Sequence, residues 1–490
     1  MDKNTPIHLQ EIIFSSSKPV VSRSIAKLEK EGKLRKLAPK IFTPNFNELP
    51  ETIIRRNIYT IIGHLYPGSV LSHRSAFEFK PTATNNLFLT FTYARKVSLP
   101  GLVLNILEGA VAQDGDNLIT DGLYLAQQER AYLENLQQSR KIGANAKTLS
   151  LVQLEEKLEQ VVRIKGEEGL NKLRDKAKLL SELMDMKAEY QKLNKIISAM
   201  LATKPSQILT APVAIARALG NPFDGARISL FEQLFAALQQ QEFKVLPEQN
   251  NALTAFNNFA FFEAYFSNYI EGTKFKIEEA KQIIDTGKPM LARDADSHDV
   301  LGTYQLVSNK KEMSKTPKTA SELIEILQYR HKIILSARQN KNPGEFKSSD
   351  NQAGETYFVA HQLVRGTLIK AFDFYRGLRD PFAKAAYMMF IVSEIHPFED
   401  GNGRVSRIMM NAELVKAGHC KIIIPSVYRI DYLGGLRALT RNQQPTTYIR
   451  MLLRAHLFSA TILGGDIVQM QEILKNSNAF EEGEEFILEF

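Results

Sequence analysis

A single cysteine, Cys420, in 490 residues excludes an internal disulfide and any zinc cluster built on cysteines. No apolar run reaches the length that spans a bilayer. The start, Met1-Asp2-Lys3-Asn4, lacks the basic-then-apolar order of a secretory leader. The expectation is therefore a protein of the reducing cytoplasm with no membrane partner. What is present is ordinary for a globular chain, 44% hydrophobic and 24% charged residues. The length is too great for one core and implies about two to four domains. A net charge of +8 and a pI near 9.1 permit nucleic-acid contact without requiring it.

The chemistry concentrates in twelve residues, His396-Pro397-Phe398-Glu399-Asp400-Gly401-Asn402-Gly403-Arg404-Val405-Ser406-Arg407. Before them, Phe382 to Ile395 repeats apolar residues at helical spacing, and Pro397 disfavours helical geometry at His396. After them, Ile408 to Ala417 is again apolar-periodic and closes at Gly418. The expectation is helix, Gly-rich loop, helix. Free backbone N–H groups at a helix start, with glycines that allow close approach, form a nest for phosphate. Arg404 and Arg407 share a helix face and can neutralise further phosphate oxygens. Asp400 is a hard oxygen ligand suited to Mg2+ on those phosphates, and His396 can take a proton near neutral pH.

At these residues the chain resembles the Fic family, whose signature His-Pro-Phe-x-Asp-Gly-Asn-Gly-Arg-x-x-Arg is matched at all nine specified positions. The resemblance implies transfer of AMP from ATP, with Mg2+, to a Ser, Thr or Tyr hydroxyl of a protein, this chain included. His396 is then the base, Asp400 the metal ligand, and Gly401, Asn402, Gly403, Arg404 and Arg407 the nucleotide-binding set. Phosphate-transferring relatives carry Lys at the second glycine, which Gly403 argues against. The implied fold is mainly α, a helical bundle with a β-hairpin flap.

Two further segments gain meaning from that resemblance. Leu253 to Ile270 is apolar at helical spacing and runs into Ser267-Asn268-Tyr269-Ile270-Glu271-Gly272. This resembles the family's inhibitory motif, Ser/Thr-x-x-x-Glu-Gly/Asn, in which the glutamate pairs with the second signature arginine, here Arg407. Pro343 to Val359 is the best match to the flap that aligns a target segment by strand pairing; a loop without target role is its alternative. Arg429-Ile430-Asp431-Tyr432 resembles the Arg-x-x-Tyr wall of the nucleotide pocket, with Tyr432 a candidate adenosine contact or a packed aromatic. Lys310 to Lys318 reads as an exposed basic loop, and Thr319 to Ser336 as a helix.

The N-terminal segment is basic. Lys18 to Lys40 holds eight Lys or Arg against Glu29 and Glu31. Pro19 can open a helix with Val21, Ile25 and Leu28 inward and Gly32 as its stop, followed by a hairpin over Leu34 to Phe42. With an apolar helix expected over Ile7 to Phe14, the order is that of a winged helix-turn-helix. Ser22, Arg23 and Lys27 would face DNA. From Leu49 to Ala112, short helices and strands around Leu71-Ser72-His73-Arg74-Ser75-Ala76 are similar in order to abortive-infection antitoxins of the AbiEi type. Strands are expected at Leu87 to Thr92 and on either side of Pro100-Gly101. His64 and His73 read as packing residues. Tyr132 to Ala202 is helical, with Leu151, Leu154, Leu158, Val161, Val162, Leu170, Leu173, Ala177, Leu180 and Leu183 on an apolar face.

The expected organisation is 1–48 winged helix-turn-helix, 49–130 α+β antitoxin-like region, 131–240 helical region, 241–475 catalytic domain and 476–490 acidic tail. Lys204-Pro205 and Gly220 to Gly225 act as breakers. A frayed terminus is the simplest account of the tail. Two other functions stay open: a DNA-binding regulator or antitoxin-like protein that uses the Fic unit on itself, and removal of AMP with Glu271 orienting water.

Overall fold

The computed structural model describes residues 10–201 and 208–490. The chain divides into two compact units, one ending at Leu219 and the other beginning at Gly220. The molecule is mainly helical. No helix among the described residues is long and apolar enough to cross a membrane.

The first unit opens with β1 (Ile13–Phe14), α1 (Pro19–Lys30), β2 (Arg35–Ala38) and β3 (Ile41–Thr43). The strands form an antiparallel sheet in the order β1-β3-β2. Pro19 starts α1, and Gly32 turns the chain at φ 69°, a left-handed angle that costs glycine nothing. Val21, Ile25 and Leu28 pack on Ile13, Leu34 and Phe42 as the spacing predicts. The helix expected over Ile7 to Phe14 is corrected: Ile13–Phe14 is a strand, and residues 7–9 lie outside the described residues. Ile12 packs into the core of the larger sheet and Ile13 into that under α1. An extended chain serves two opposite faces with successive side chains; a helix cannot.

Next come α2 (Pro50–Arg56), α3 (Ile58–Leu65), β4 (Ser69–Leu71), α4 (His73–Glu78), β5 (Asn86–Phe91), β6 (Arg95–Leu99), β7 (Leu102–Glu108), β8 (Asn117–Thr120) and β9 (Leu123–Leu125). A mixed sheet runs β6-β7-β5-β4-β9-β8, with the expected hairpin at Pro100-Gly101. Its apolar face, including Leu87, Leu89, Leu104 and Ile106, buries Ile53, Ile54, Ile61 and Ile62. α5 (Gln128–Asn135), α6 (Leu151–Leu183), α7 (Lys187–Leu201) and α8 (Pro212–Ala218) share another core. Of the periodic apolar residues, Leu151 and Leu183 stay exposed and the others are buried. Gly166 breaks α6 at φ 69°. Lys204-Pro205 and Ala202 lie outside the described residues.

The second unit contains α9 (Gly225–Gln239), α10 (Leu253–Ile270), α11 (Ile277–Thr286), α12 (Asp294–Val307), α13 (Lys310–Met313), α14 (Ala320–Ile334), β10 (Gln352–Ala353), β11 (Thr356–Tyr357) and α15 (Val364–Gly377). It continues with α16 (Pro381–Ile395), α17 (Asn402–Lys416), α18 (Arg429–Asn442), α19 (Pro445–Ala460) and α20 (Ile467–Asn476). α16 is buried on every side, as a helix apolar all round must be, and α17 packs along it. α9, which precedes the boundary expected at residue 241, packs on α15 and α16 within this unit.

Two local expectations are corrected here. Lys310 to Met313 is the short helix α13, capped by Asn309, with Glu312 and Met313 buried; the lysines around them hid that inward pair. The acidic tail is packed rather than frayed. Leu488 is buried, its carbonyl accepts from Arg454 at 2.8 Å, and Glu482 pairs with Lys274 at 2.6 Å.

Candidate active site

α16 begins at Pro381, with the Asp380 carboxylate accepting from the Ala383 N–H at 2.9 Å. It ends at His396, which takes the left-handed conformation at φ 52° ahead of Pro397. The imidazole is half-buried and lies flat on Phe358, ring centres 3.7 Å apart. Its Nδ1 is 3.2 Å from the Ser393 carbonyl. A carbonyl only accepts, so Nδ1 carries the proton and Nε2 keeps its lone pair. Burial pushes the imidazole down to about 4; Lys347 acts the same way, while the Ser393 carbonyl, Glu271 and Asp400 oppose it. The His396 imidazole is thus neutral through the physiological range.

The loop beyond it is stiffened from within. The Phe398 N–H donates to Asn402 Oδ1 at 2.9 Å, and Asn402 Nδ2 returns a bond to the Phe398 carbonyl at 2.8 Å. Asn402 therefore has its side chain committed to the loop and offers a ligand only its backbone. Gly401 supplies φ 74° at the turn. The helical bonds of α17 begin with Val405 N–H to the Gly401 carbonyl, 3.0 Å. The N–H groups of Asn402, Gly403 and Arg404 are left at the positive end of a fifteen-residue helix. His331, fully buried, supports the loop from beneath: it stacks on Phe398 at 3.8 Å, receives the Gly344 N–H on Nδ1 at 2.9 Å, and donates through Nε2 to the Asp400 carbonyl at 3.1 Å.

The two signature arginines are buried and go to different partners. Arg407 Nη2 donates to Glu271 Oε1 at 2.7 Å and to the Ser267 carbonyl at 2.8 Å; Nε donates to Ser267 Oγ at 3.0 Å. Its Nη1 reaches the Tyr432 hydroxyl at 3.3 Å. Tyr432 is 2% exposed, so it backs Arg407 and presents no open face to an adenosine. Glu271 hangs from the end of α10, and Gly272 turns the chain away at φ 94°. Burial would raise the Glu271 carboxyl, but Arg407, with Arg404 and His396 beyond it, holds it below the usual carboxylate range.

Arg404 pairs instead with buried Asp299, Nη1 to Oδ2 2.7 Å, and donates to Asn268 Oδ1 at 3.3 Å. Asp299 also accepts from Arg338 Nε at 2.9 Å. Asp400 is 3.9 Å from Arg404 Nη2, and its side chain is 42% exposed. One of its oxygens accepts from the Gly401 N–H at 2.6 Å. Among the described residues no group of three or more His, Cys, Asp or Glu could hold a metal unaided. A lone exposed carboxylate beside a helix N-terminus fits a cation whose other ligands come from a bound anion and water.

The structure thus brings together His396, Asp400, Gly401, Asn402, Gly403, Arg404 and Arg407 with Ser267, Glu271 and Tyr432. Sequence reasoning missed His331, Asp299, Arg338, Lys347 and Asn351. Ser22, Arg23 and Lys27 are exposed on α1, in the first unit.

Residues 322–414 match the family model described as Fic/DOC family. Over those residues, from within α14 into α17, the chain resembles the Fic/DOC family. It is 28% identical over 246 residues to protein adenylyltransferase Fic of Drosophila willistoni, covering 47% of this chain and 48% of that protein. With the protein of the same name from Drosophila melanogaster the figures are 27% over 249 residues, 47% and 49%. The chain therefore spans about half the length of the curated relatives it matches. A solved Fic domain-containing signalling protein of Bacteroides thetaiotaomicron shares 22% identity over 52% of this chain and 99% of its own, with a TM-score of 0.36.

Proposed function

We propose that the second unit is a protein adenylyltransferase held in check by Glu271. The observation that carries this is a neutral imidazole with a free Nε2 beside the N-terminus of α17. The name of the Drosophila relatives supports it. The N–H groups of residues 402–404 and Arg407 bind the phosphates of ATP. Asp400 would hold Mg2+, which neutralises phosphate charge when bound. His396 Nε2 takes the proton of a Ser, Thr or Tyr hydroxyl. The hydroxyl oxygen bonds to the α-phosphorus as the bond to the bridging oxygen breaks and pyrophosphate leaves. Positioning and charge stabilisation supply most of the rate. Glu271, seated on Arg407, occupies an anion's place at the nest and so opposes productive binding of the triphosphate.

The test is mass spectrometry after the Glu271→Gly protein has been incubated with ATP and cell lysate. AMP adducts should appear on proteins, rise above those made by wild type, and vanish with His396→Ala. Retained transfer by His396→Ala would remove His396 from the base role. Release of AMP by wild type but not by Glu271→Gly would favour the reverse reaction.

A second, compatible reading concerns the first unit. Ser22, Arg23 and Lys27 stand exposed on the outer face of α1, whose inner face packs on the three-stranded sheet. That disposition supports DNA binding through α1. In gel shifts with the full chain, replacing Arg23 and Lys27 should weaken binding; equal binding would exclude α1 as the DNA-reading helix.

A further inference from the structure

Lys347 is a buried cation that the reaction above does not use. It is 4% exposed and lies just before the hairpin of β10 and β11. Its N–H donates to the Pro397 carbonyl at 2.9 Å, the residue after the proposed base. Its Nζ donates to Asn351 Oδ1 at 2.6 Å. Asn351 Nδ2 donates to the Phe398 carbonyl at 3.0 Å, the same oxygen that Asn402 holds. The Asn351 carbonyl in turn receives the N–H of Phe358 at 3.3 Å, whose ring covers His396. A continuous path of hydrogen bonds therefore runs from Lys347 through Asn351 to the signature loop on one side and to the lid of the base on the other.

Burying an ammonium is costly without a counter-charge, yet among the described residues no carboxylate lies within ion-pair distance of Lys347. Asp350, three residues on, is engaged with His361, whose N–H and Nδ1 both approach Oδ1 at 2.8 Å. Burial brings the Lys347 ammonium down to about 8, with Asp350 opposing, so it remains a cation at neutral pH. A neutral donor would suffice to hold an asparagine. A cation adds a stronger, charge-assisted bond at the root of the hairpin and a positive field that disfavours protonation of His396.

We infer that Lys347 is a positioning residue of the proposed transfer: through Asn351 it fixes the root of the hairpin to Phe398 and so sets Phe358 over the His396 imidazole, without taking part in nucleotide binding. This rests on the reading of the second unit as a transferase. Lys347 acts by holding Asn351.

The experiment uses the full chain in the Glu271→Gly background, with Lys347→Met and, because that variant removes a buried group and can misfold, Asn351→Ala on the half-buried end of the path. Three quantities are read: ATP affinity by calorimetry, AMP transfer at saturating ATP, and amide hydrogen exchange. Both variants should lose transfer about tenfold or more while ATP affinity stays within about threefold. Exchange across residues 352–358 should quicken about tenfold, with the amides of α17 unchanged. Unaltered exchange across the hairpin would overturn the inference. So would ATP affinity falling in step with transfer, which would make the pair part of the nucleotide site. If the Glu271→Gly parent binds ATP and moves no AMP, the transferase reading fails; the exchange result still decides whether Lys347 anchors the hairpin.

Discussion

Glu271 and Gly403 share one space. A Cβ on Gly403 would stand 2.1 Å from Glu271 Oε1, closer than atoms approach, and Gly403 is at the mouth of α17 where an anion would meet the helix N-terminus. The missing side chain is what lets the glutamate reach Arg407. Gly403→Ala must therefore push out the carboxylate, the flexible partner. In the wild type, Glu271→Gly should tighten ATP binding by about tenfold or more, about 1.4 kcal/mol. In Gly403→Ala the same change should alter it by less than about threefold, because the carboxylate has already left. Calorimetry on the four proteins of the cycle measures this coupling. Equal effects in both backgrounds would mean that the glutamate does not occupy the nest.

The legible part of this site was the part whose geometry its own residues impose. Pro397 ends α16, Gly401 makes the turn, and Asn402 closes the loop on Phe398, all within a few positions. The supporting residues were not legible. His331 meets the Asp400 carbonyl across 69 positions, and Asn268 meets Arg404 across 136. Only packing brings such pairs together, and nothing local marks the His331, Asp299 or Lys347 side chains. The same limit explains the first strand. Ile12-Ile13-Phe14 is a short apolar run that fits helix or strand equally well by pattern, and the two cores on either side of it decide.

His396 should also set the acid limit of the reaction. Its imidazole is pushed from 6.5 to about 4. A depressed base loses its lone pair only when the pH falls to its own value, so transfer by Glu271→Gly should persist through the ordinary imidazole range and fall near pH 4. Removing Glu271 deletes a charge that raises His396, which moves the limb further down. A pH–rate profile read at saturating ATP and corrected for unfolding checks this. A limb near 6.5 would require a different base or an unburied imidazole.

His331 makes a stability prediction of its own. It is fully buried, and burial brings it to about 4, with the Asp400 carbonyl opposing. Protonation would also cost the bond from the Gly344 N–H, since both ring nitrogens would then be donors. The unfolded chain binds this proton below 6.5 and the folded chain not until about 4. Wild type therefore loses stability as the pH falls across that window, by at most about 1.4 kcal/mol per pH unit from this residue. His331→Gln should destabilise at pH 7 but shed that acid dependence, so the gap between the two proteins narrows on acidification. Thermal unfolding at pH 7, 6 and 5 gives the comparison, and a constant gap would contradict it.

Asp299 holds the first signature arginine, and its removal should be costly. It is 1% exposed, Arg404 is 3% exposed, and Arg338 shares the same carboxylate. Taking away one partner of a buried ion pair leaves an uncompensated charge and costs about 3–5 kcal/mol. Asp299→Ala should lower the unfolding transition of the second unit by that order, and Asp299→Asn by less, since the amide oxygen can still accept. Calorimetric scans resolve the two units if ATP–Mg2+ shifts one transition alone. The alternative partner is Asp400, 3.9 Å from Arg404 Nη2. Should the guanidinium swing to it, the loss in Asp299→Ala would stay under about 1 kcal/mol, and ATP binding would suffer instead because Asp400 would no longer be free for the metal. The two outcomes are opposite in stability and affinity, so one pair of measurements decides which carboxylate owns Arg404.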